Sequence, residues 1–383
     1  MVVSLVAHTF EVDDVELAVS EVLAQLDLDN ALRKHSVGIV TCHCEFLYSG
    51  VVKALSEKLP FDVVGISSLA SAAKGKSGLD ILTVCVLTSD DVVFSTSLTA
   101  SVVQDQKKPI VDAYAAAAEG RGKPSLVLTY GPLLEHVSGN TFVNEITEVS
   151  GGAPLFGTLA CDHTPAFQEA SVIYNGEYYR DRVALVLLHG AVNPKFFCIA
   201  ISPENTQNQR GLVTSSTGNV IHAVNGKPAM EYLASIGLDK EDLKISGSFP
   251  LVVDYNDGGQ PVGRGIYTVA DNGDVYCGGD VPVGAMLSTA VLNDEDVLRS
   301  AGKLAETICA ESNGGPLLLL SCISRSLLLG ADPLGEVEKL NSVIAGRIPY
   351  HMSYSGGEIC PVYTENGSTA NRFHNFTLIA CTF

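Results

Sequence analysis

Short, continuous runs of apolar residues recur along the chain, and each ends in small or polar residues. They occupy residues 37–41, 126–129 and 317–321. Runs of this length, without alternating polar positions, are typical of strands that are buried on both faces. We therefore predict three interior strands at these places.

A stretch with helical spacing of apolar residues follows each of these strands. The three stretches are residues 47–59, 141–149 and 334–345. Each leads into a proline and a further apolar strand, because proline removes a backbone donor and ends a helix. These strands are residues 60–67, 154–158 and 349–353. The pattern predicts three β-α-β units, each with parallel strands and a right-handed crossover.

Further strands are predicted after each unit, at residues 81–87, 92–98, 170–174, 182–189, 195–202 and 376–382. Between the second and third units, Asn225-Gly226 predicts a hairpin turn. A helix over residues 228–236 should follow it, with Pro228 at its first turn. We expect an α/β (α+β) fold with repeated β-α-β units in mixed sheets and two domains. The first domain, residues 1–205, holds two repeats, and the second, residues 206–383, holds the hairpin insert and the third repeat.

The charge balance excludes some partners. The chain carries 24 Lys and Arg residues against 43 Asp and Glu residues, a net charge of −19 at pH 7. Such a field repels nucleic acids and anionic membranes, so we expect neither as a partner. The N-terminus lacks the features of a signal peptide, and no apolar run is long enough to span a bilayer. The 10 cysteines lack the dense, regular spacing of a disulfide framework, and several lie in apolar runs, so we expect a cytoplasmic protein with reduced thiols.

Two strings near the C-terminus resemble a known family. Residues 354–361, Tyr-Ser-Gly-Gly-Glu-Ile-Cys-Pro, and residues 371–378, Asn-Arg-Phe-His-Asn-Phe-Thr-Leu, are similar to the end of the FIST C domain. The segment from Cys322 to Arg325 resembles its C-x-x-R segment. Residues 63–68 and 154–162 resemble parts of the FIST N domain. Met352 stands where many members of the family carry glycine.

The resemblance implies a function in signal transduction. FIST proteins are associated with sensing small ligands, with amino acids suggested, and some relatives bind haem and sense nitric oxide. We therefore expect a stand-alone sensory module that binds a small polar ligand such as an amino acid and acts on a separate signalling effector protein. On this interpretation the chain is not an enzyme and requires no cofactor or metal. A haem-based nitric-oxide sensor and a cysteine-dependent or cofactor-free enzyme are the alternatives.

Candidate ligand-binding residues lie where the predicted parallel strands end, since ligands of open α/β sheets bind there. Small and hydroxyl residues at these ends leave room and offer hydrogen bonds. Arg325 could bind a ligand carboxylate in bidentate fashion and Glu358 could face an amino group, or the two could pair with each other. Asn371, His374 and Asn375 precede the last strand and could reach the same pocket or fix a turn. The full set is Ser67, Gly157, Thr158, Asp162, Cys322, Arg325, Ser355, Gly357, Glu358, Asn371, His374 and Asn375.

Other chemistry has weaker signals. Cys42-His43-Cys44 could place two thiols on one side of a strand, but no second ligand pair follows at the spacing typical of zinc sites. Cys161 and Cys322 could act as nucleophiles if a histidine lay beside them in the fold. His163, His351 and His374 are candidate axial ligands for haem, although the chain has no C-x-x-C-H motif.

Overall fold

The computed structural model describes residues 1–135, 137–164, 166–240, 250–312, 314–344, 346–364 and 367–383. It contains three copies of one unit, which we call repeat one (residues 3–89), repeat two (93–189) and repeat three (195–382). The elements of repeat one are β1 (Val3–Thr9), α1 (Val15–Leu26), α2 (Leu28–Ala31), β2 (His35–Cys42), α3 (Glu45–Tyr48), α4 (Val51–Lys58), β3 (Val63–Ser67), β4 (Ser71–Ala73), β5 (Lys76–Gly78) and β6 (Leu82–Ser89).

Repeat two follows the same order with fewer helices. Its elements are β7 (Val93–Leu98), α5 (Lys107–Ala118), β8 (Leu126–Gly131), α6 (Gly139–Val149), β9 (Leu155–Leu159), β10 (Val172–Tyr174), β11 (Glu177–Tyr179) and β12 (Ala184–His189).

Repeat three is interrupted after its first strand by an insert, residues 211–289, which we call the small barrel. Repeat three begins with β13 (Lys195–Ile199) and a 3-10 turn at Pro203–Asn205. The small barrel comprises β14 (Gly211–Thr217), β15 (Val220–Val224), β16 (Lys227–Pro228), α7 (Ala229–Ser235), β17 (Leu251–Asp254), β18 (Val262–Arg264), β19 (Ile266–Val269), β20 (Val275–Cys277) and β21 (Met286–Thr289). Repeat three then continues with α8 (Asp294–Glu311), β22 (Leu317–Cys322), α9 (Ile323–Leu328), α10 (Gly335–Ile344), β23 (Tyr350–Ser355), β24 (Glu358–Tyr363), β25 (Thr369–His374) and β26 (Leu378–Thr382).

Each repeat supplies four strands, including a parallel pair at the centre, to one six-stranded mixed sheet. The strand orders are β1-β6-β2-β3-β10-β11, β7-β12-β8-β9-β24-β25 and β13-β26-β22-β23-β4-β5. The middle pairs β2–β3, β8–β9 and β22–β23 are parallel, and every other pairing in these sheets is antiparallel. The predicted fold class and all three predicted β-α-β units are thus confirmed.

The last two strands of each sheet come from another repeat. The hairpin β4–β5 of repeat one joins the sheet of repeat three, β10–β11 of repeat two joins that of repeat one, and β24–β25 of repeat three joins that of repeat two. Each repeat therefore donates a hairpin to one neighbour and receives one from the other, which closes the three into a ring. The domain boundary near residue 205 stays a prediction, and strands from both sides of it share two of the sheets.

The inner faces of the three sheets pack on each other, and the helices cover the outer faces. One core cluster contains side chains from all three repeats, including Ile39, Leu128 and Leu320. Separate clusters lie between each sheet and its own helices. Strands such as β6 and β22 are buried along their whole length, which explains why their sequences do not alternate between apolar and polar residues.

One predicted helix is divided in two, and one short helix was not predicted. The helix predicted over residues 47–59 is divided into α3 and α4, because Gly50 adopts a left-handed conformation with φ of 86°. The short helix α9, which carries Arg325, was not predicted before α10.

The small barrel is an eight-stranded antiparallel sheet that is nearly closed. Its order runs from β18 through β17, β21, β14, β15 and β20 to β19, with β16 paired to β15. The two end strands, β18 and β19, are joined in the chain through the single residue Gly265, so the ends of the sheet lie close together. The predicted hairpin at Asn225-Gly226 is confirmed, with φ of 54° and 76°, as a type I′ turn requires.

Candidate functional site

The strand ends that the sequence identified meet where the three repeats join. The Ser67 hydroxyl donates to the Cys161 carbonyl at 2.9 Å, and the Cys161 N–H donates to the Ser67 carbonyl at 3.2 Å. The Thr158 hydroxyl donates to the Gly357 carbonyl at 3.0 Å, and the Leu159 N–H donates to the same oxygen. These polar groups are buried and bind each other across the repeats. Their predicted contact with a ligand stays a prediction.

Glycine at these ends permits close approach of neighbouring strands. A Cβ atom at Gly157 would lie 1.9 Å from the Thr129 carbonyl oxygen. Gly357 has a φ of 144°, and a Cβ there would lie 2.3 Å from the Phe373 ring. Both predicted site glycines therefore serve backbone packing in this fold.

Glu358 is completely buried beside the same junction. Its carboxyl group accepts hydrogen bonds of 2.7 Å from the hydroxyls of Ser355 and Thr377. Burial raises the pKa of Glu358 to about 8, although these two hydroxyls and the positive charge of Arg325 oppose the shift. The carboxyl group is consequently largely protonated at neutral pH. Arg325 and Glu358 do not form an ion pair, contrary to one of the two alternatives for these residues.

Asp162 and Asn371 bind backbone groups. The Asp162 carboxylate accepts from the N–H groups of Thr164 and Glu169, and so organises the loop between β9 and β10. The Asn371 amide binds both the Leu155 N–H, at 2.9 Å, and the Ala153 carbonyl, at 2.9 Å. Asn371 thereby fastens the donated hairpin β24–β25 to the start of β9.

His374 and Asn375 are buried and each keeps one acceptor without a partner. The His374 Nε2 lies 3.0 Å from the Cys360 carbonyl oxygen, and burial lowers the pKa of His374 to about 4. Among the described residues, nothing donates to His374 Nδ1 or to Asn375 Oδ1. The next residue, Phe376, has a left-handed φ of 59°. Backbone strain of this kind in a residue other than glycine clusters at ligand-binding and switch regions.

The two cysteines considered as nucleophiles, Cys161 and Cys322, show no sign of activation. Cys322 is buried, and burial raises the pKa of its thiol to about 12. Burial also raises the pKa of Cys161 above its ordinary value. A nucleophilic cysteine needs a lowered pKa, so both thiols have the properties of structural residues.

The histidines considered for haem lie in three different places. His351 is buried, its Nε2 lies 3.0 Å from the Thr83 hydroxyl, and burial lowers the pKa of His351 to about 4. The His163 ring lies against His43, with 4.5 Å between the ring centroids. Over the residues that the structure describes, no three His, Cys, Asp or Glu side chains are grouped to hold a metal ion.

Arg325 forms a buried ion pair with Glu336 on α10. The guanidinium Nε and Nη2 lie 2.8 and 2.5 Å from Glu336 Oε1, and the Ser321 hydroxyl donates to Oε2 at 2.6 Å. Nη2 also donates to the Ser300 hydroxyl, at 2.8 Å, and to the Val297 carbonyl. Among the described residues, no acceptor binds Nη1. This atom also keeps some exposure to solvent. One arm of a largely buried guanidinium is thus available.

A cavity of about 670 Å³ lies beside this arginine, between repeat three and the small barrel. Its volume is in the range of pockets that bind small molecules. The segment after β13, strands β17 and β21, and one face of α8 form its walls, and Arg325, Cys198 and Phe376 line it next to the strand-end junction. Of the residues predicted for the site, Arg325 is the one that lines this cavity.

Charged side chains of both signs surround the cavity. The positive ones are Arg210, Arg299, Lys303 and Arg325, and the negative ones are Glu204, Asp254 and Asp296. Sequence reasoning missed all of these except Arg325, and for Asp296, Arg299 and Lys303 the reason is that it did not identify α8. The signal was present: Asn293 and Asp296 form a capping box, and buried Val297, Ala301, Leu304 and Ile308 follow at helical spacing.

Comparison with known proteins identifies two consecutive domains. Residues 36–227 match the FIST N domain and residues 229–361 match the FIST C domain. A search of curated proteins finds no match. Among solved structures, the crystal structure of cyanuric acid hydrolase from A. caulinodans aligns over 100% of this chain and 99% of its own, with 10% sequence identity and a TM-score of 0.38. None of the helices in the described parts of the chain has both the length and the apolar character to cross a membrane.

Proposed function

Because the chain belongs to the FIST family, whose domains are sensory modules of signal transduction, we propose that it senses a small polar ligand bearing a carboxylate, such as an amino acid. The ligand occupies the cavity beside Arg325, and a separate signalling effector protein receives the signal. The single observation that carries the proposal is that Arg325, whose Nη1 has no acceptor among the described residues, lines the 670 Å³ cavity.

The arginine is well prepared for a carboxylate. Glu336, Ser300 and Val297 hold its Nε and Nη2, so the side chain is already fixed before a ligand binds. A fixed side chain loses little conformational entropy on binding. Arg325 keeps only 4% of its side chain exposed, and hydrogen bonds to a carboxylate are stronger where water is largely excluded.

Phe376 is the residue through which a bound ligand would change the conformation of the junction between the repeats. This residue lines the cavity, and the next residue, Thr377, donates to Glu358 at the junction of the repeats. A ligand that displaces the Phe376 ring would change a strained backbone segment that connects the cavity to the centre of the ring of repeats.

A thermal-shift screen of the full chain tests the proposal. The screen contains amino acids, small carboxylates and matched amines that lack the carboxylate. We expect carboxylates to raise the melting temperature in a concentration-dependent manner and the matched amines to leave it unchanged.

A variant with a blocked cavity checks the location. Leu292 lines the cavity, so Leu292→Trp should abolish the shift. Leu327→Trp is the matched control, because Leu327 is 55% exposed on α9 and lies away from the cavity lining. A flat response across the library, or an undiminished shift in Leu292→Trp, would refute the proposal.

A further inference from the structure

One face of α8 carries three of the seven charged residues that line the cavity. Asp296, Arg299, Ser300 and Lys303 are spaced three, four and seven residues from the first, which places them on one side of the helix. All four line the cavity. The Ser300 hydroxyl marks the position of Arg325, because Arg325 Nη2 donates to it at 2.8 Å. Lys303 lies three residues beyond Ser300, slightly less than one turn, which is about 4.5 Å along the helix axis.

Most charges in the cavity wall are already paired. Arg299 binds Asp296 at 2.5 Å and Glu204 at 3.4 Å, and Asp296 also accepts from the Asn205 amide at 2.9 Å. Arg325 is balanced by Glu336. Arg325 and Glu336 cancel, and Arg299 with its two carboxylates leaves one negative charge.

Three charged groups that line the cavity have no ion-pair partner among the described residues. Within the described ranges, no carboxylate lies within 4.0 Å of the charged nitrogens of Lys303 or Arg210. Asp254 likewise has no cation within that distance there, and its Oδ1 accepts only the Asn256 N–H, at 2.9 Å. The unpaired groups therefore amount to two positive charges and one negative charge. Together with the one negative charge that Arg299, Asp296 and Glu204 leave, the charged groups at the cavity sum to zero, whereas the chain as a whole carries −19.

Nη1 of Arg325, the pair Lys303 and Arg210, and the carboxylate of Asp254 are together complementary to a ligand with two anionic groups and one cationic group. We propose that the cavity is specific for acidic amino acids. One carboxylate binds Nη1 of Arg325, the second lies one helical turn away near Lys303 and Arg210, and the ammonium group faces Asp254. The inference rests on the proposed function and names the ligand class of the same site.

Isothermal titration calorimetry on the full chain tests the specificity. The probes are glutamate and aspartate, each against its amide, glutamine or asparagine. We expect an acidic amino acid to bind at least ten-fold more tightly than its amide. The difference should shrink as sodium chloride is raised, because salt screens the second carboxylate near the cavity mouth.

Lys303→Gln provides the decisive comparison. It should lower the affinity for the acidic amino acid to that for the amide and change the affinity for the amide less than two-fold. Lys58→Gln is the matched control, because it removes the same charge from an exposed position on α4, outside the cavity lining. It should leave the preference intact.

The outcomes separate this inference from the proposed function. Equal affinity for acid and amide, or a preference that survives in Lys303→Gln, would overturn the specificity for acidic amino acids. The proposed function, the sensing of a ligand with a carboxylate, would remain. If no amino acid or small carboxylate binds, both proposals fail.

Discussion

The hydroxyl oxygen of Ser355 lies 2.7 Å from Glu358 Oε1, and both residues are completely buried. A second hydroxyl, that of Thr377, binds the other carboxyl oxygen at the same distance. Two hydroxyls do not fully compensate the loss of water around a carboxylate, so burial raises the pKa of Glu358 to about 8.

Stability should therefore fall as the pH rises through this range. The folded chain keeps the Glu358 proton up to about pH 8, whereas the unfolded chain loses it near pH 4.5. The contribution of Glu358 is complete below pH 4.5 and is lost as the pH approaches 8, with a slope of at most about 1.4 kcal/mol per pH unit. Glu358→Gln should remove this slope, which urea unfolding at pH 5, 6.5 and 8 measures.

The comparison with Glu358→Gln is needed because two histidines change the stability with pH in the opposite direction. Burial lowers the pKa of both His351 and His374 to about 4, so they increase stability as the pH rises from 4 towards 6.5. These contributions cancel when the variant is compared with the parent at each pH. An identical pH dependence in parent and variant would show that Glu358 is ionised in the folded chain.

The buried pair of Arg325 and Glu336 gives a second prediction. Arg325→Met leaves the Glu336 carboxylate buried without a cation, which should reduce the free energy of unfolding by about 3–5 kcal/mol. The double variant Arg325→Met, Glu336→Leu should lose less, since it removes both charges. Urea unfolding of both single variants and the double variant gives the coupling energy.

An exposed arginine of the same region serves as the control. Arg299 pairs with Asp296 but is 58% exposed, so Arg299→Met should cost less than about 1 kcal/mol. If Arg325→Met and Arg299→Met reduce the free energy of unfolding by similar amounts, the ion pair of Arg325 with Glu336 does not stabilise the fold.

The sequence predicted the parallel pairs but not the exchange of hairpins. The interior strands are short but continuously apolar, so they can be identified locally. The donated strand Ser71–Ala73 has three small residues and no pattern, and its partner, Met352 with its neighbours, lies in a distant part of the chain. No local feature of the sequence therefore predicts that these two strands pair.

The candidate site could be predicted only in part for a similar reason. Arg325 was identified because it follows the end of β22, where ligands of α/β sheets bind. Its acidic partner could not be chosen from the sequence, since Glu336 and Glu358 both lie nearby in the chain. Burial of Glu336 on the inner face of α10 decides the pairing. The cavity itself depends on the placement of β17 and β21 of the small barrel across from α8, which no motif indicates.

Gly157 gives a third prediction. An alanine Cβ at this position would lie 1.9 Å from the Thr129 carbonyl oxygen, in the parallel pair at the centre of the second sheet. Because backbone cannot move away cheaply there, Gly157→Ala should cost more than about 4 kcal/mol. The yield of soluble protein and the melting temperature by circular dichroism measure the effect.

Gly122→Ala is the matched control, since nothing lies within 4 Å of its Cβ position. It should leave the melting temperature nearly unchanged. A Gly157→Ala variant that melts like the parent would mean that the strands separate at low cost, contrary to the close packing of β8 and β9.

The ring of exchanged hairpins predicts that the chain folds as one cooperative unit. In the isolated segment 1–205, β4–β5 would lack the partner strand β23, and β9 would lack β24. Unpaired strand edges and the exposed central core should prevent a cooperative transition in this fragment. Co-expression with segment 206–383 should restore it, which urea unfolding followed by circular dichroism would show.

A protease site inserted after Asn205 provides the control, because a chain cut there after folding keeps all its sheet pairings. The cut protein should remain associated and unfold near the midpoint of the intact chain. A sharp unfolding transition in segment 1–205 alone would instead establish it as an independent domain and contradict the cooperative ring.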